Sequence, residues 1–342
     1  MVSISKRIDA VNEIDFTYRA AVLPAPPSVK IELTSRCNFS CGFCAHRTGG
    51  KKNSDMNFEF YKRIVNEMRQ EGVRELGLFY IGESMLCSWL PEAIEYAKKE
   101  VGFPYVFLTT NGSLATEDRL DKIMKAGLDS LKWSFNNADE WQFRQITGIA
   151  PSMYKTIIGN IKNAKKIRDD NGYSTKLYAS SIKYDGEQLE KMQRAVDEII
   201  PFVDEHYWLP LYSFGDVATE NERKLGFKPL VGNVGRAENM RPPLPCWAVF
   251  KEGHITSDGL MSACCFDHSD NWIMADLKQV SFMEGWNSEA YQKLRQAHLS
   301  GDVHNTACEP CIHGKKQRCQ HGEVVVEYQS DEVIPQTLIV RS

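Results

Sequence analysis

Three cysteines fall within eight residues, at Cys37, Cys41 and Cys44, in the spacing C-x3-C-x2-C. They follow a β-type run, Val29-Lys-Ile-Glu-Leu-Thr34. Thiolates are soft ligands that select zinc or iron–sulfur centres, so a loop presenting three of them reads as a metal or cluster site. The count separates the kinds of site. A closed structural zinc site takes four protein ligands. Three cysteines on a cubane of four irons leave one iron uncapped by protein and open to a small molecule. The competing readings are half of a zinc ribbon and a group of spare thiols.

A chain of 342 residues has room for one large barrel-type domain and a smaller one. Its 42% hydrophobic content supports a sizeable core, so no cluster is needed to staple a tiny fold. A net charge of −4 argues against nucleic acid as a main partner, because a phosphate-tracking face shows as a basic excess. No apolar run approaches the roughly 18 residues of a membrane span. The first residues lack a secretory apolar core, so a cytoplasmic protein is expected. Ten cysteines in that compartment point to metal or redox work rather than disulfides.

Residues 1–28 read as a lead-in too short to fold alone, ending in the extended Leu23-Pro-Ala-Pro-Pro27. From residue 29 strands and helices alternate. Strands are expected at 29–34, 76–81, 105–109, 128–135, 176–182 and 206–212. Helical stripes run through Tyr61, Ile64 and Met68, through 90–100, through Leu120 and Ile123, through Tyr154 and Ile161, and through Met192 and Ile199. This alternation predicts a parallel sheet with right-handed crossovers, a partial (β/α)6 barrel over 29–212. Sites in such sheets lie at the carboxyl ends of the strands, where the cysteine loop falls. The loop-rich stretch 213–245 reads as a linker to a smaller domain over 246–342.

The cysteine loop, with Phe43 before its last cysteine, resembles that of the radical S-adenosylmethionine (SAM) superfamily. The resemblance implies a [4Fe-4S] cluster on Cys37, Cys41 and Cys44 whose open iron chelates the methionine end of SAM. It also implies an external one-electron donor of flavodoxin or ferredoxin type. Further SAM contacts are implied at three strand ends. Gly82-Glu83 corresponds to a Gly-Gly-Glu stretch facing the SAM amino group, with Ile81 in place of the first glycine. Asn111 lies in a Thr-Asn-Gly turn. Ser134 and Asn136 face the ribose, with Asn136 where Asp is usual, and Phe43 neighbours the adenine. Each has a plainer reading: a helix-terminal acid for Glu83, a simple Asn-Gly turn for Asn111, a core aromatic for Phe43.

Downstream, Cys246, Gly259, Cys264, Cys308 and Cys311 fit C-x12-G-x4-C followed by C-x2-C. This resembles the SPASM extension and its shorter twitch form, as in enzymes of aminocyclitol dehydrogenase and sulfatase-maturase type. Six cysteines from Cys246 onward are too few for the eight ligands of two closed clusters. One auxiliary [4Fe-4S] cluster on Cys246, Cys264, Cys308 and Cys311 is therefore expected, with Cys265 able to replace Cys264. A structural zinc is the alternative. Cys87, Cys265 and Cys319 are left over, as inert small hydrophobes or, for one of them, with Cys265 and Cys87 the candidates, as a hydrogen-atom donor to a substrate radical. Asp267 is a candidate proton acceptor, against a solvated turn Asp.

Three activities follow from the resemblance: two-electron oxidation of an alcohol on a small sugar, aminocyclitol or nucleotide-linked compound; radical epimerisation of a similar substrate; and peptide or protein modification. Only 36 residues precede Cys37, which leaves no room for a leader-binding module and lowers the third. Substrate contacts without a motif are Arg144, Lys183, Tyr184, Tyr207, Trp208 and Tyr212.

Overall fold

The computed structural model describes residues 3–44, 46, 53–213, 229–267 and 272–313, and the backbone of 316–319 and 322–325. Helix α1 (Ile4–Asn12) opens the chain. Six strands follow: β1 (Ser28–Ile31), β2 (Glu75–Gly77), β3 (Tyr105–Thr110), β4 (Ser130–Ser134), β5 (Lys176–Ile182) and β6 (Glu205–Leu209). Between them run α2 (Phe58–Gln70), α3 (Leu90–Glu95), α4 (Glu117–Lys125), α5 (Glu140–Thr147), α6 (Ser152–Asn171) and α7 (Gly186–Ile199). The six strands are parallel and ordered β6-β5-β4-β3-β2-β1.

Period-two sequence pattern explains the curl of this sheet. Ile31, Leu76, Val106, Leu131, Trp133 and Leu177 are fully buried in one continuous apolar core. The alternate residues Lys30, Glu75, Phe107, Lys132, Tyr178 and Tyr207 line a single internal chamber. One face of every strand thus meets the same space, which is the partial barrel that the alternation predicts.

Helix α5 has no counterpart in the sequence reading, and two further elements depart from it. The run Leu76–Ile81 pairs only as far as β2; beyond Gly77 the buried chain bends over the top of the sheet and delivers Glu83. The lead-in contains α1, capped by Ser3 and held where Glu205 accepts the backbone N–H groups of Ile4, 2.9 Å, and Ser5, 3.2 Å. Its Ile4 and Ile8 pack on Tyr178 and Tyr207, and Asp9 takes a two-pronged ion pair from Arg236 at 2.9 Å. The helix forms part of the chamber wall.

The second half joins the same sheet. After α8 (Ala248–Lys251), β7 (Glu252–Ile255) pairs parallel to β1, and β8 (Leu260–Ser262) and β9 (Ile273–Asp276) add antiparallel strands. Then come α9 (Phe282–Trp286), α10 (Glu289–Ser300) and α11 (Glu309–His313). Fully buried Arg295 binds these pieces: it donates to the carbonyls of Val249, 3.0 Å, Ala21, 2.9 Å, and Trp286, 2.8 Å, and lies over the Trp286 and Tyr291 rings. Among the described residues no helix is long and apolar enough to cross a membrane.

Candidate active site

Cys37, Cys41 and Cys44 line one pocket of about 190 Å³ above the barrel. The loop that carries them is fixed from two sides. Ser40 and Gly42 donate to the carbonyls of Thr147, 3.1 Å, and Ile146, 2.7 Å, at the end of α5, while Phe39 meets Phe143 edge to face. On the other side Asn38 donates to Ser113 Oγ at 2.8 Å and accepts from Asn111 Nδ2 at 2.9 Å. Helix α5, absent from the sequence reading, is thus one of the loop's two supports.

Gly82 and Glu83 sit against the same loop. A Cβ on Gly82 would lie 2.1 Å from the Thr34 carbonyl oxygen, so only glycine lets this strand end pass the start of the cysteine loop. The Glu83 carboxylate, 3% exposed, accepts from Asn111 N at 2.7 Å, Thr110 Oγ1 at 2.9 Å and Met85 N at 3.1 Å. Burial pushes its pKa up, against these donors. Phe43, Asn111, Ser134 and Asn136 line the pocket too. The Asn136 side chain accepts from Ile182 N at 3.2 Å, which ties the end of β4 to β5. The pocket is enclosed further by Phe39, Tyr80, Asn137 and Tyr154. Among the described residues the wall carries three cysteines, no fourth cysteine, histidine or aspartate, and Glu83 as its one carboxylate; this donor set suits a cluster with one uncapped iron better than a closed zinc site.

A second cavity, about 70 Å³, is lined by Cys246, Cys264, Cys308 and Cys311. Cys246 leads into α8 and its N–H donates to Nδ1 of His298 at 3.1 Å, a ring that burial holds neutral with a pKa of about 4. Cys264 follows β8, Cys308 immediately precedes α11, and Cys311 lies within it. Four thiols around one small cavity fit a closed cluster. Asp267 also lines this cavity; its Oδ2 accepts from Ser262 Oγ at 2.8 Å and Trp272 N at 3.2 Å. It faces neither the first pocket nor the chamber, so the geometry gives it no route to a substrate there.

The chamber inside the barrel, about 260 Å³, lies between these two cavities. It shares Phe79 and Thr109 with the first and Asn233 and Phe266 with the second. Cys265 lines the chamber while its neighbour Cys264 lines the auxiliary cavity, and Asn233 Nδ2 reaches the Cys265 sulfur at 3.6 Å. Tyr207 and Tyr212 line the chamber; Arg144, Lys183, Tyr184 and Trp208 line none of the three spaces. Cys87 is buried in the main core beside Trp89 and lines none of them either. The Cys319 side chain and His268 lie outside the described residues.

Two wall features were missed in the sequence. Tyr80 lines the first pocket while its hydroxyl donates toward the Cys264 carbonyl at 2.7 Å, linking the two cysteine sites. Lys30 and Glu252 pair at 2.8 Å inside the chamber, with His254 Nε2 3.0 Å from the same carboxylate. The polar–apolar alternation of β1 carried a signal for Lys30.

Comparison with known proteins agrees with this geometry. The radical SAM superfamily model matches residues 31–199, and the SPASM iron–sulfur cluster-binding domain model matches 246–315. The GTP 3′,8-cyclase of Chlorobaculum tepidum is 31% identical over 119 residues, 35% of this chain and 36% of that protein. The PqqA peptide cyclase of Granulibacter bethesdensis is 29% identical over 150 residues, 44% of this chain and 38% of that one. The matches thus span well under half of these relatives. Among solved structures, Streptococcus suis SuiB bound to the precursor peptide SuiA aligns with TM-score 0.60 and 16% identity over 85% of this chain and 69% of that one. BtrN in complex with AdoMet and 2-DOIA aligns with TM-score 0.52 and 15% identity over 80% and 87%. The chain belongs to the radical SAM superfamily and carries a SPASM-type domain, so its cofactors are SAM, the [4Fe-4S] cluster that binds it, and auxiliary iron–sulfur.

Proposed function

We propose that the chain oxidises a hydroxyl-bearing carbon of a small polar molecule held in the chamber. The observation that carries this is the shared walls: a molecule there lies directly beneath the three-cysteine pocket and beside the four-cysteine cavity. Cys37, Cys41 and Cys44 would hold the cluster that, with SAM and an external flavodoxin- or ferredoxin-type donor, would supply hydrogen-atom abstraction from the carbinol carbon; the hydroxyl proton would pass to solvent, and a cluster on Cys246, Cys264, Cys308 and Cys311 would take the remaining electron. The chain supplies position. Phe79 and Thr109 set the boundary between pocket and chamber, and Cys264–Cys265 is the wall between chamber and auxiliary cavity. A volume of about 260 Å³, below the ~300–1,000 Å³ usual for drug-sized ligands, favours a small molecule over a peptide.

Cys265 favours one second reading, epimerisation, because a thiol on the chamber wall is placed to return a hydrogen atom. Turnover of a panel of sugars and cyclitols in deuterated solvent separates the two. Oxidation yields a product two hydrogens lighter with wild type and with Cys265→Ala. Epimerisation yields a product of unchanged oxidation level carrying one carbon-bound deuterium, and Cys265→Ala abolishes it.

A further inference from the structure

Most charged side chains lining the chamber are matched. Arg7 pairs with Glu75, Lys30 with Glu252 and Arg236 with Asp9. Lys132 is the exception. It stands in the middle of β4, and among the described residues its ammonium has neither a carboxylate partner nor a hydrogen bond; the Tyr207 ring centroid is 5.7 Å away. Burial, helped by repulsion from Lys30 and opposed by Glu252, lowers its pKa to about 7. A cation in such a place is costly unless something pairs with it.

Its position follows from the strand. Leu131 and Trp133 fill the core on one face of β4, and Ser130, Lys132 and Ser134 occupy the other. Ser134 lines the SAM pocket and Lys132 the chamber, two residues or ~7 Å further in. A molecule spanning that distance would have one end at the radical source and the other at the ammonium.

We infer that Lys132 receives an anionic group, phosphate or carboxylate, on the substrate, which is therefore a small hydroxylated anion. This rests on the reading of the chamber as the substrate site. It selects among the expected classes. An aminocyclitol would bring ammonium groups against Lys132 and Lys30, whereas a phosphorylated or carboxylated sugar supplies the missing counter-charge.

Inorganic phosphate is the first probe and acetate the second, each titrated at constant ionic strength into the anaerobically reconstituted chain, with the thermal midpoint read for wild type, Lys132→Met and Lys132→Arg. Phosphate stabilises many folds non-specifically, so the difference between variants is the readout. Expected is a rise of about 3 °C in wild type beyond that of Lys132→Met for at least one anion, retention of most of it in Lys132→Arg, and a higher midpoint for Lys132→Met than for wild type without anion. Equal responses in wild type and Lys132→Met to both anions would overturn the assignment. Lys132→Gln, read in parallel, serves if methionine disturbs folding. The readout involves no turnover: a chain that binds anions through Lys132 yet yields no oxidised product refutes the oxidation and leaves the anchor standing.

Discussion

Glu83 holds three donors and still presents its charge to the pocket. Charge-assisted hydrogen bonds of this kind are worth roughly 1.5–3 kcal/mol. Glu83→Gln should therefore weaken SAM binding about ten- to a hundredfold, read by anaerobic equilibrium binding; unchanged affinity would show that the carboxylate only supports the turn. Residue identity made this site legible where chemistry is written in rare residue types. The cysteine spacing and Gly82-Glu83 could be read directly. Lys132 could not be weighed as a site because lysine on an alternating strand ordinarily faces water, and only closure of the sheet turns that face inward. Which cavity Asp267 would meet could not be read either, because its place two residues after Cys265 says nothing about which way the side chain turns.

At the scale of elements, β1 and β7 are joined by a charged pair as well as by their ladder. Glu252 lies in a site where burial alone would raise its pKa, yet the Lys30 ammonium, with the His254 ring, holds it at about 2, below the ordinary 4.5. A carboxyl depressed in the folded state contributes stability above its unfolded value and loses it as pH falls. This contribution is present above about pH 4.5 and disappears toward pH 2. Lys30→Met leaves Glu252 buried with only the His254 ring, 3.0 Å away, beside it, at a cost of about 3 kcal/mol at neutral pH, the lower end for a broken buried pair. Denaturant unfolding should show that loss, and it should shrink as the pH falls through 4. A neutral variant would mean that the ladder alone joins the two halves. Strand and helix order were legible because period and turn residues repeat. Helix α5 escaped notice because it is short, lying against the cysteine loop with Trp141 exposed, and α1 because its apolar face is only Ile4, Ile8 and Val11.

For the whole molecule, the geometry amounts to a nine-stranded sheet with a space on its inner face and a group of cysteines at each side of that space. The most direct measurement compares three reconstituted chains for iron content and for reductive formation of 5′-deoxyadenosine. Wild type should hold about eight irons, two cubanes, and cleave SAM. The Cys37/Cys41/Cys44→Ala chain should keep about four and cleave none, while the Cys246/Cys264/Cys308/Cys311→Ala chain should also keep about four yet still cleave SAM without turning over substrate. Cleavage that survives loss of the first three cysteines, or zinc in place of iron on the other four, would contradict the account.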